Sequence, residues 1–87
     1  MMTPDIMMAT LRPMVDESED SIYLQSFGRR LSALRVQRGL SQEQLAAAAG
    51  LQPGEVRGAE RGQRDLSVVA LADLAQALQV QPADLMP

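Results

Sequence analysis

The segment Ser41-Gln42-Glu43-Gln44-Leu45-Ala46-Ala47-Ala48-Ala49-Gly50 carries a helix start and a helix stop in one short span. Ser41 and Gln44 have capping-box spacing, in which a hydroxyl and a side-chain amide satisfy each other's free backbone amides. Leu45, Ala46 and Ala49 supply one apolar face, and Gly50 suits a left-handed stop. Only Leu51 and Gln52 then precede Pro53, whose missing amide suits a first helical position. The next helix is expected to run to about residue 61, with Gly62 as its stop. Two short helices joined by a Gly-containing turn of about three residues predict a helix-turn-helix, residues 42–49 and 53–61.

The flanking pattern agrees with a helical chain. From Ile22 onward, Phe27, Leu31 and Leu34 recur at i, i+4 and i+7, and Gly39 closes that helix. Ser67 caps a fourth helix whose face is Leu71, Leu74, Ala75 and Leu78. Pro82 opens a short fifth helix that is expected to end near Met86. No segment alternates like a strand. The expectation is an all-α, five-helix domain, and 87 residues hold one small core near the lower limit for independent folding.

Composition narrows the chemistry. Cysteine and histidine are both absent, which removes thiol nucleophiles, disulfides, the usual zinc sites and Ser-His catalysis. A helical chain this short has little room to enclose a pocket, so no enzyme, cofactor or metal site is expected. No run approaches the ~20 apolar residues of a membrane span, and no basic region precedes Ile6–Leu11 as a secretory signal requires. The expected address is the cytoplasm of a bacterium or phage host, at the nucleoid, with no membrane partner.

The net charge of -3 ordinarily argues against a nucleic-acid partner. Its distribution reverses that. Residues 1–20 hold Asp5, Asp16, Glu17, Glu19 and Asp20 against Arg12, whereas residues 21–87 hold seven Arg against six acids. The expected organisation is an acidic, flexible extension over 1–20 and a helix-turn-helix domain over 21–87. The extension reads either as a solvated leader or as a dimerising or protein-binding arm built on Ile6, Met7, Leu11 and Met14.

Residues 27–86 resemble the phage-repressor (Cro-like, XRE) helix-turn-helix family. Leu34-Arg35, Gly39-Leu40-Ser41-Gln42, Leu45-Ala46, Gly50, Val56, Glu60-Arg61-Gly62 and Leu74-Ala75-Gln76-Ala77-Leu78 carry the resemblance. The piece from Gly58 to Ser67 further resembles controller proteins of restriction–modification systems. The resemblance implies a phage-repressor-like fold, double-stranded DNA as partner and a transcriptional role. Glu60 shares the inward side of its helix with Val56, where an acid without a partner is costly. The resemblance supplies Arg35 as that partner, a structural ion pair. It also makes Gln42 a phosphate clamp in the first turn of the second helix, where the helix dipole favours an anion. A solvated Gln beside a cap is the plainer reading. Arg64 and Arg61 read as further backbone contacts or as solvated surface, and such contacts position without specifying.

With Val56 and Ala59 inward, Gly54, Arg57, Gly58 and Arg61 share the outward face of the third helix. Each internal glycine weakens that helix by ~1 kcal/mol relative to Ala and offers no side chain to a base. Pro53 and Gly54 stand where the family places base-reading polar side chains. Glu55 brings a negative charge towards phosphates, although it can accept from a cytosine amine. Arg57 can pair with guanine through two hydrogen bonds; a phosphate contact or a solvated side chain are its other readings. Either the glycines let the helix sit deep while DNA shape adds specificity, or sequence reading is weak.

The expected function is a small DNA-binding regulator, a repressor or autoregulator. It would act as a homodimer on a near-palindromic operator with half-sites ~34 Å apart. The small core and the apolar Val80, Leu85 and Met86 suggest dimerisation, while ordinary packing against the fourth helix explains at least some of these residues. The alternative is a protein-interaction module, an anti-repressor or adaptor with weak or lost sequence-specific DNA binding; the acidic leader fits it by covering a partner's basic face, and equally fits folding over this domain's own Arg face.

Overall fold

A computed structural model describes residues 21–86. The acidic extension, with the protein-binding or dimerising arm expected in it, lies outside the described residues, as does Pro87. Four α-helices follow in order: α1 across residues 21–37, α2 (Gln42–Ala49), α3 (Pro53–Glu60) and α4 (Val68–Leu78). No strand occurs among the described residues.

The local signals act as their chemistry requires. The Ser41 hydroxyl accepts from the Gln44 amide at 3.0 Å, and Gln44 Oε1 accepts from the Ser41 amide at 2.8 Å. Gly50 takes φ 72°, the left-handed region that an L side chain rarely enters, and its amide closes α2 onto the Ala46 and Ala47 carbonyls. Ser67 caps α4 through the Ala70 amide at 3.1 Å. At the other end of α4 the left-handed position is filled by Gln79, with φ 61°. That conformation costs a non-glycine residue roughly 1 kcal/mol.

The expected fifth helix is corrected. Pro82–Leu85 forms a single 3-10 turn, and Met86 is already extended. Pro82 opens it, and the Asp84 carboxylate accepts from the Gln81 amide at 3.0 Å. The tighter winding suits so short a piece and delivers Leu85 into the core within four residues. The two readings of Val80, Leu85 and Met86 separate with it, and ordinary packing holds for the first two. Leu85 is fully buried in the chain's own core and Val80 packs against that core, so of the three only Met86 is exposed.

One core joins all these elements. Phe27 and Leu31 enter from α1, Leu45, Ala46 and Ala49 from α2, and Val56 and Ala59 from α3. Leu74, Ala75 and Leu78 enter from α4, and Leu85 closes the set. Each fully buried leucine contributes about 2 kcal/mol of apolar transfer. The small residues let helices approach closely, most of all at Gly28 of α1. A Cβ there would lie 2.5 Å from the Glu60 carbonyl oxygen and 2.6 Å from that of Ala59. Gly28 therefore sets how near α1 comes to the end of α3, and so where α3 stands on the domain.

Candidate nucleic-acid interface

α3 begins at Pro53, and the Glu55 carboxylate reaches back to accept from the Gln52 amide at 3.0 Å. Glu55 is thereby engaged at the helix start, as the third helical residue of a capping box is. Its charge sits against a backbone amide and the positive end of the helix dipole. The helix ends with Arg61 at its C-cap and Gly62 at φ 71°.

The two sides of α3 differ sharply. Val56 and Ala59 are completely buried, whereas Gly54, Arg57 and Arg61 are exposed. Pro53 and Gly58 are half-buried. Nothing approaches the space where a Gly54 side chain would begin. Gly58 is different, because a Cβ there would touch the Arg64 side chain, at 3.4 Å from its Cβ and 3.5 Å from its Cδ. The stem of Arg64 thus lies over Gly58 while Arg64 as a whole stays exposed. Arg57, Arg61 and Arg64 occupy α3 and the turn after it.

Behind this face, Arg35 of α1 meets Glu60. Arg35 Nε donates to Glu60 Oε2 at 2.6 Å and Nη2 donates to Oε1 at 3.1 Å, a two-pronged ion pair. The side chains are 15% and 6% exposed, so the charges are largely removed from water. Arg35 Nη1 also donates to the Leu40 carbonyl at 2.8 Å, ahead of α2. The Glu60 hydrogen bond holds the Arg35 guanidinium above its ordinary pKa; burial opposes this, and the charges of Glu60 and Glu43 reinforce it.

Gln42 joins the same group. Its Nε2 donates to Glu60 Oε1 at 2.9 Å, so the side chain is held at the start of α2. Spacing alone places Gln42 near a helix cap and has no means of pairing it with a residue eighteen positions on. Gly28 was equally hard to single out, and its one signal is a glycine inside an apolar helical pattern. Glu60 thus receives bonds from both α1 and α2, and so fixes the relation of the two helix-turn-helix members to α1. An open recess on the outer side of α1, lined by Ser26, Arg29, Arg30 and Ala33, shares none of these residues.

Known proteins share this sequence pattern and fold. The helix-turn-helix family model HTH_3 matches residues 31–85. An uncharacterised HTH-type transcriptional regulator of Sinorhizobium fredii, y4dJ, is 37% identical over 59 residues, covering 68% of this chain and 77% of the relative. The restriction–modification controller protein C.AhdI of Aeromonas hydrophila superposes with a TM-score of 0.72 at 49% identity, over 72% of this chain and 96% of the controller. The clp gene regulator ClgR of Corynebacterium glutamicum superposes at 0.69 with 31% identity, over 71% of this chain and 80% of the regulator. With an all-α helix-turn-helix, and the family match over more than half its length, this chain belongs to the HTH_3 (XRE-type) family of DNA-binding transcriptional regulators.

Proposed function

We propose that this protein is a sequence-specific regulator, a repressor or autoregulator, that lays α3 in the major groove of double-stranded DNA. The observation that carries the reading is the exposed Arg57 and Arg61 side of α3, set on a frame whose other side is wholly buried. Arg57 pairs with a guanine, for its fork matches the two acceptors of that base. Gln42, Arg61 and Arg64 hold phosphates and fix register. Pro53, Gly54 and Gly58 add no base-reading group; Gly54 keeps this side of the helix low, so backbone and DNA approach closely, and Gly58 makes room for the Arg64 stem.

The acting species is a homodimer on a near-palindromic operator, with half-sites ~34 Å apart. Supporting it are Val68 and Val69 at the start of α4, 82% and 70% exposed, together with exposed Met86. The protein's working place in this reading is the cytoplasm, at the nucleoid, which a role in transcription supports. Likeness to a restriction–modification controller protein supports a regulatory role.

Enrichment from a random DNA pool at low salt tests this reading. A recovered motif containing guanine is the expected result. Retention without a motif, falling steeply with salt, would reduce the interface to phosphate contacts. No retention at low salt, even after removal of residues 1–20, would exclude DNA as the partner and leave a protein-binding role.

A further inference from the structure

We infer that Glu60 is a positioning residue for DNA binding: its carboxylate orients the Gln42 amide so that one N–H is held and the other is presented to a phosphate. The inference rests on the DNA-binding reading above and deepens it by one residue.

The geometry is specific. Glu60 Oε2 takes Arg35 Nε, and Oε1 takes both Arg35 Nη2 and Gln42 Nε2. An amide nitrogen carries two hydrogens that diverge, and only one can point at a given carboxylate oxygen. Fixing that one fixes the direction of the other. The nitrogen end of the amide faces an acceptor, so the amide cannot flip without breaking a charge-assisted bond. The Glu60 side chain is 6% exposed, which keeps water from competing for the same oxygen. Its charge is balanced by Arg35, so the acid does not add a bare repulsive charge beside the DNA. Gln42 itself is only half-buried, which leaves its amide within reach of a ligand. A solvated Gln would have to lose several rotamers on contact with DNA, whereas this one is ordered beforehand.

A double-mutant cycle in DNA affinity tests the link, with the full chain and a random-sequence duplex at low salt as probe. Gln42→Ala is expected to weaken binding about tenfold, the scale of one hydrogen bond to a charged group. Glu60→Gln is expected to weaken it by a similar factor, and the double variant no further than either alone. The salt slope should stay at its wild-type value, because a neutral amide displaces no counterion. A purely structural Glu60 would lower the melting temperature and leave the affinity of the folded protein unmoved. That result, or losses that multiply to about a hundredfold in the double variant, would overturn the inference while leaving the DNA-binding reading intact.

Because Glu60→Gln also loosens the Arg35 pair, the unmodified chain gives a second readout. The side-chain amide of Gln42 should show two separate proton resonances by NMR, one slow to exchange, and added duplex should shift the other. Equal and fast exchange of both protons, or loss of the protected one on adding DNA, would overturn the inference. Failure of the unmodified chain to bind DNA at all would overturn it together with the reading it rests on.

Discussion

The inner and outer sides of α3 were built under different demands. Inside, Val56 and Ala59 are sealed in the core, Glu60 is held by three hydrogen bonds, and Gly28 of α1 sits against the last carbonyls. Outside, Gly54 faces open space and only arginines extend. The inner side decides where the helix stands; the outer side decides what it meets. Substitutions inside should therefore change stability first, and those outside should change binding with little effect on folding.

The largest effect is expected at Glu60. Replacing it with Ala leaves the Arg35 guanidinium largely buried without its partner, at a cost of about 3 kcal/mol or more. For a domain of this size that is a large part of the total stability. The urea midpoint should drop accordingly; a loss below about 1 kcal/mol would mean the pair behaves as a surface contact. Because Arg35 is held above its ordinary pKa, it stays charged below the unfolded value and its share is lost only as pH rises through the higher folded value. Arg35 therefore contributes no pH dependence in the neutral range.

Gly28 should come next. An Ala methyl would fall against two backbone carbonyl oxygens that no rotamer change can move, so α1 has to shift off α3. Such overpacking costs about 1–3 kcal/mol. Thermal unfolding of Gly28→Ala measures it, and no loss would show that the helices separate easily.

These two sites mark how far sequence carried. The starts and stops of α2 and α3 were legible because caps and left-handed glycines act through neighbours a few residues apart. The Arg35 partner of Glu60 came through family resemblance, since residues so far apart in the chain leave no spacing rule to read. The Gln42 bond to Glu60 and the close approach at Gly28 were hidden for the same reason. The return of Glu55 to the Gln52 amide was hidden too, because it depends on a rotamer and not on helical phase. For Val80 and Leu85 the sequence leaves core packing and a partner surface both open, as periodicity does not distinguish a 3-10 turn folded onto the core from a projecting helix end.

Arg57 tests the outer side. Arg57→Ala should leave stability within about 0.5 kcal/mol, as exposed substitutions usually do. In DNA selection it should relax preference at one base position, by about 1–2 kcal/mol of discrimination. A uniform loss over all sequences with a shallower salt slope would make Arg57 a phosphate contact instead.

Gly54→Ala should also have a small effect on stability, with the opposite sign. An added Cβ meets nothing, and the substitution removes part of the backbone entropy that glycine loses on folding. The gain should be about 0.5 kcal/mol, read as a rise in melting temperature. DNA affinity then separates two accounts of this glycine. If the bare helix side serves close approach to the groove, the more stable variant binds all sequences less well, since the methyl stands where the duplex would come nearest. If it serves nothing, stability rises and affinity holds. The first result would show that the outer side gave up helix stability for binding, the reverse of the trade at Gly28, where a glycine brings two helices together.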